Sequence, residues 1–186
     1  PKTLIMIYLD NNATTRCDPQ VLDIMLPFLS DVYANAGNPY NFMGRQAANS
    51  VDEAREKVEE LINAEASSVI FTAGSTESNN IAIKGILDNF IDSSKRNKII
   101  ASAIEHKAVL NIMPEYERAG FEVVVLPVDE QGVFDLDFFN SQIDEKTILV
   151  SLQLVNNEIG TIEPIKKMAE RTHEVGAVFH SDGTQG

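Results

Sequence analysis

The stretch TILVSLQLVNNEIGTIEP, residues 147–164, decides the fold. Apolar side chains stand at 148, 149, 150, 152, 154 and 155, without the strict polar alternation of a strand that keeps one face in water. Such a run reads as a strand covered on both faces, the situation of strands in a parallel sheet. It breaks abruptly into Asn156, Asn157, Glu158 and Gly160, polar and turn-forming residues placed where a buried strand ends.

Four further runs of this kind lie at fairly even spacing: SVIFTA (68–73), NKIIASA (97–103), FEVVVLPV (121–128) and AVFHSD (177–182). TLIMIYL (3–9) reads as an additional first strand. Segments with helical marks separate the runs: Ser78 to Phe90, Lys107 to Arg118 closed by Gly120, Asp135 to Ile143 opened by an aspartate cap, and Pro164 to Val175 closed by Gly176. Strands alternating with helices predict a three-layer α/β domain with a mostly parallel sheet. Two more helices are expected ahead of it. One starts at Asp18-Pro19, and one spans Arg45 to Ala64, patterned by Ala47, Val51, Ala54, Val58, Leu61 and Ile62. Asn35 to Asn41 is a polar stretch without periodicity.

The 186 residues favour one good-sized domain, and 44% apolar with 23% charged residues is an ordinary globular composition. A net charge of −13 argues against direct binding to nucleic acid or an anionic membrane. Cys17 is the single cysteine, which excludes an intrachain disulfide and any multi-cysteine zinc site and fits a reducing, cytoplasmic setting. The apolar N-terminal run is too short to span a membrane and lacks the marks of a signal peptide.

In a parallel sheet ligands gather at the carboxyl ends of the strands, so those ends are where chemistry is sought. After 68–73 comes AGSTESNN, where Gly74 permits a tight turn and Ser75 and Thr76 open a helix. Its N–H groups and two hydroxyls suit a phosphate, or the stretch is simply a capped helix. After 97–103 comes Glu105-His106-Lys107, in which the imidazole either stacks on an aromatic ligand and moves a proton, or is an ordinary satisfied polar group. LPVDEQG, after the third run, shows no catalytic pattern. Asn156 and Asn157 either orient a polar ligand or only build a turn. Asp182, ending an otherwise interior strand, requires a partner: a protonated ring nitrogen, a basic side chain or, less fittingly, a metal. His180 shares a strand face with it, but no third metal ligand stands at a recognisable spacing, and no metal is expected.

Taken together, YLDNNATT, GNP, FTAGSTESNN, EHKAVL, VNNEIGTI and HSDGTQ resemble the cysteine desulfurases of the NifS/IscS group, within the fold-type I enzymes that use pyridoxal 5′-phosphate. The motifs run in family order from Tyr8 to Gln185. The resemblance implies an incomplete fold-type I large domain over residues 18–186, preceded by an N-terminal arm over 1–17. It puts the cofactor phosphate on Ser75 and Thr76, His106 over the pyridine ring as the catalytic group, Asn157 and Gln185 near the ring's phenolic oxygen, and Asp182 against the pyridine nitrogen. It also implies conversion of L-cysteine to L-alanine with a persulfide sulfur passed to acceptor proteins, in a homodimer.

The family's cofactor-attaching lysine, which follows a Ser-x-His-Lys pattern, and its sulfur-accepting cysteine have no counterparts in these 186 residues. Lys107 belongs to the EHKAV motif instead, and Cys17 matches no catalytic cysteine of the family. The sequence therefore reads as the N-terminal portion of such an enzyme. The alternatives are a non-catalytic remnant acting in dimerisation or partner binding, and a selenocysteine lyase-like enzyme. NAGNP, SAIEHKAVL and TQG also resemble the desulfurase branch that serves DNA phosphorothioation. Housekeeping members that feed iron–sulfur cluster assembly share most of these residues. Gly183 and Ser181 depart from the usual family residues around Asp182.

Overall fold

The computed structural model describes residues 7–65, 67–91 and 95–186. Its contacts divide the chain into two units, Pro1–Phe71 and Thr72–Gly186. The strand expected over 3–9 falls mostly outside the described residues. Among the described helices none is long and apolar enough to cross a membrane.

The first unit holds α1 (Pro19–Ser30) and α2 (Phe42–Ile62). Helix α1 starts where the sequence indicates: the Asp18 carboxylate accepts from the Gln20 N–H at 2.7 Å, and Pro19 takes a first-turn position that needs no donor. The aperiodic stretch before α2 is a run of asparagine turns. Side-chain oxygens of Asn35, Asn38 and Asn41 accept from the N–H groups of Gly37, Tyr40 and Gly44, and the last of these caps α2. Gly44 is required by close approach, since a Cβ there would lie 2.1 Å from the Asn38 carbonyl oxygen. The helix ends at Asn63, in the left-handed region at φ 52°.

The second unit contains α3 (Ser75–Leu87), β1 (Lys98–Ser102), α4 (Lys107–Leu110), α5 (Met113–Arg118), β2 (Glu122–Leu126), α6 (Leu136–Gln142), β3 (Thr147–Ser151), α7 (Ile165–Glu174) and β4 (Val178–His180). The four strands form a parallel sheet in the order β2-β1-β3-β4. Ile99, Ile100, Leu149 and Val150 are fully buried, as expected for central strands covered on both faces. One apolar cluster joins Ile83 and Leu87 of α3 and Val109, Met113 and Tyr116 of the α4–α5 region to one side of the sheet. Another joins Phe139 of α6 and Met168 of α7 to Ile100 and Val150. The predicted three-layer α/β architecture is therefore present. A register shift lies between Lys98 and Ile99, where Thr147 and Leu149 are the successive partners and Ile148 is passed over.

Two expectations are corrected. Residues 68–73 form no strand: they carry no ladder pairing among the described residues, Ile70 and Phe71 are exposed, and β-propensity alone cannot make a strand without a neighbour. The helix expected over Lys107 to Arg118 is two helices, because Pro114 has no N–H and its ring would collide with the carbonyl of Leu110 in a continuous helix. Boundaries shift elsewhere: α3 begins at Ser75 rather than Ser78, and only a 3₁₀ turn, Asp88–Phe90, follows Leu87.

Helix propensity favours alanine over glycine by about 1 kcal/mol, yet the contact at Gly44 opposes it. The expected outcome for Gly44→Ala is a net destabilisation of about 1–3 kcal/mol, read from the urea midpoint; an unchanged or raised midpoint contradicts the packing described.

Candidate active site

The order β2-β1-β3-β4 sets the location of the site. From β1 the chain leaves through α4 and α5 to β2 on one side; from β2 it returns through α6 to β3 on the other side of β1. The connections part between β1 and β3, and a crevice opens at the carboxyl ends of such strands. Glu105 and His106 follow β1, Gln153 to Asn157 follow β3, and Asp182 follows β4.

Asp182 is held from three sides. Its Oδ2 accepts from the Asn79 side-chain amide at 2.8 Å, and its Oδ1 accepts from the Thr184 N–H at 3.0 Å and the Thr184 hydroxyl at 2.7 Å. Partial burial pushes the carboxyl pKa up, but these donors, aided by His180, outweigh it and hold the group below its ordinary value. Asp182 is thus a fixed anion at neutral pH. His180, on the same strand face, pairs its Nδ1 with the Ser151 hydroxyl at 2.9 Å. Burial lowers its pKa, and the Asp182 charge only partly offsets that.

His106 is exposed and caps α4: its Nδ1 accepts from the Ala108 N–H at 3.1 Å. That bond assigns the proton of the neutral imidazole to Nε2. At the start of α3 the N-cap is Gly74 and no side chain caps the helix, so the capping role weighed for Ser75 or Thr76 is not used. The first-turn N–H groups keep the unsatisfied character of a helix start. Ala73, Gly74, Ser75, Thr76, Glu77 and Asn80 line an open depression there, and the Glu77 carboxylate accepts from the Ala73 N–H at 2.6 Å.

Asn156 and Asn157 part company. Asn156 is buried and structural: its oxygen accepts from the N–H groups of Glu158 and Ile159, and its amide donates to the Ile104 carbonyl. Asn157 is half-buried beside it, donating to the Glu158 carboxylate at 3.1 Å. Gln185, also half-buried, sits in the turn closed by the Gly186 N–H on the Gly183 carbonyl.

Three participants escaped the sequence reading. Asn79 is 4% exposed and grips Asp182, and its signal was its position one helical turn after Ser75. Glu105, 5% exposed, accepts at Oε1 from the Ser102 hydroxyl and the Gln153 N–H, both at 2.8 Å. Burial pushes its pKa up to about 7 against those two donors, with Asp182 and Glu163 adding repulsion. Gln153 is buried as well.

Asp182, a carboxylate fixed as an anion, follows β4, and the exposed His106 follows β1, both at the carboxyl end of a parallel sheet in a three-layer α/β domain. The chain belongs to the class-V aminotransferase family, whose model matches residues 7–186. This is a family of pyridoxal phosphate enzymes. The cysteine desulfurase IscS of Rickettsia massiliae (strain Mtu5) is 42% identical over 185 residues, covering 100% of this chain and 45% of that protein. A solved NifS-like protein matches with a TM-score of 0.90 and 36% identity, covering 96% of this chain and 49% of that one. DndA from Streptomyces lividans matches with a TM-score of 0.82 and 39% identity, over 97% and 50% of the two chains. The chain spans about half the length of the relatives it matches.

Glu105 carries a pH signature. Its folded pKa of about 7 lies above the ordinary 4.5, so the folded state binds the extra proton between these values. The stability it contributes is complete below pH 4.5 and is lost as pH rises through 7. Urea midpoints at pH 5 and pH 8 are expected to show wild type losing up to about 3 kcal/mol that Glu105→Gln does not lose; equal losses contradict the assignment.

Proposed function

We propose that this chain forms the cofactor-binding wall of a pyridoxal phosphate-dependent cysteine desulfurase, within a large domain extending over residues 18–186 and preceded by an arm over 1–17. The observation that carries the reading is Asp182, a carboxylate kept ionised by Asn79 and Thr184 at the carboxyl edge of the sheet. A fixed anion there suits a protonated ring nitrogen, which is what makes the cofactor an electron sink. The uncapped start of α3, with the Ser75 and Thr76 hydroxyls, suits a phosphate dianion. The residues present therefore fit the cofactor.

When bound, pyridoxal phosphate supplies the stabilisation of negative charge at the carbon from which a substrate proton leaves. Asp182 holds positive charge at the ring nitrogen. Ser75 and Thr76, with the first-turn N–H groups of α3, hold the phosphate. Asn157 and Gln185 hold the phenolic oxygen. His106 would lie against the ring and, with Nδ1 committed to the Ala108 N–H, would hold or move a proton at Nε2. The net reaction breaks the Cβ–S bond of L-cysteine and transfers the sulfur to a thiol as a persulfide, which leaves L-alanine. The IscS relatives, named for that activity, support the choice of substrate. The reading extends to a cytoplasmic homodimer that hands sulfur to acceptor proteins, and the DndA likeness supports a branch serving DNA phosphorothioation.

His106→Asn separates capping from chemistry, since asparagine caps helices well but cannot carry the proton. With the full-length protein and pyridoxal phosphate, the expected outcome is a fall in alanine formation from L-cysteine of about 10²–10⁴-fold with the unfolding midpoint nearly unchanged. Full activity in that variant contradicts the role, and no alanine formation by the wild-type protein contradicts the reading as a whole.

A further inference from the structure

Beyond β3 the N–H groups of Leu152 and Leu154 donate to the carbonyls of His180 and Asp182, both at 3.0 Å, so pairing with the β4 side continues past the regular strands. Successive N–H groups of an extended chain point to opposite sides, and that of Gln153 is turned toward the β1 side. But β1 ends at Ser102, and the next N–H, that of Ala103, donates to Leu126 at the end of β2. The position that a further β1 carbonyl would fill is taken by Glu105 Oε1, which receives the Gln153 N–H and the Ser102 hydroxyl. A continuous set of bonds then runs from Ser102 through Glu105 and Gln153 to Leu154, and from there to the Asp182 backbone.

We propose that Glu105 is a positioning residue for Asp182: its carboxyl stands in for the strand neighbour that Gln153 lacks, and its charge is linked to the charge at Asp182. The groups acting on Glu105 make the link one-signed. Asp182, beyond β4, and Glu163, ahead of α7, both add negative charge. Titratable His106 is its chain neighbour, and His180 faces Asp182. Oε2 of Glu105 has no hydrogen-bond partner among the described residues, so no second donor stabilises the ionised form.

Asp182 is ionised far below the pH at which Glu105 titrates, so the coupling is read at Glu105. Removing the Asp182 charge lowers the proton affinity of Glu105. A cation seated on Asp182 acts in the same direction, and this part rests on the reading of Asp182 as the ring-nitrogen partner. Binding of such a cation then releases a proton near neutral pH, by linkage.

Two measurements on the purified protein, neither using the cofactor or cysteine turnover, decide the proposal and keep it separable from the desulfurase reading. The first is amide hydrogen exchange at Gln153. Glu105→Ala is expected to speed it at least about tenfold, while Glu105→Gln, which still offers an acceptor, restores protection to within a few-fold of wild type. The second is the titration of the Glu105 carboxyl by carbon NMR in wild type and Asp182→Asn, which applies even if Glu105→Ala does not fold. The expected result is a midpoint near 7 that falls by half a pH unit or more, about threefold in proton affinity, when the Asp182 charge is removed. Unchanged Gln153 exchange in a folded Glu105→Ala protein overturns the positioning role. A midpoint that does not respond to Asp182→Asn overturns the link.

Discussion

The pairing of β1 with β3 is the constraint from which the rest of the second unit follows. Two parallel strands lie side by side although the chain between them has first travelled to β2 and back, so their connections diverge, the arrangement at whose carboxyl ends ligands gather. Both strands are buried along their length, which anchors their carboxyl ends in the core of the second unit. The loops that carry His106, Asn157 and Asp182 can therefore be irregular without being loosely placed.

Electrostatics divides the carboxylates of this region into two kinds. Asp182 has three donors spread over both oxygens and remains an anion. Glu105 has two donors on one oxygen, deeper burial and two negative neighbours, and it sits at the edge of neutrality at physiological pH. Two acids within one hydrogen-bonded frame thus differ in charge because of the number of donors each receives and the water each has lost. Only the anion is suited to face a cationic ring nitrogen, and the near-neutral acid underneath serves the backbone.

The sequence made the layered architecture legible because β1, β2, β3 and β4 are continuous apolar runs and the glycines and proline between them stop the helices. Asp182 was legible for a related reason: a carboxylate ending an interior strand demands a partner. What escaped reading depended on tertiary company. Residues 68–73 have the composition of a strand, but a strand exists only through its neighbours. Asn79 looked like one more polar residue on a helix and is instead a buried clamp. Glu105 looked like part of a charged cluster, and nothing local shows that its carboxyl replaces a missing carbonyl of β1. The resemblance to the desulfurases named the ligand chemistry, and the hydrogen bonds to Asp182 and His106 supplied the atoms that would perform it.

The central claim is that Asp182 keeps the ring nitrogen of pyridoxal phosphate protonated. The most direct test is the nitrogen NMR shift of ring-¹⁵N-labelled cofactor bound to the full-length protein, compared with the Asp182→Asn variant. The account predicts a pyridinium-type shift in wild type that moves toward the neutral pyridine position in the variant. A neutral shift in wild type, or a pyridinium shift that survives loss of the Asp182 charge, contradicts it.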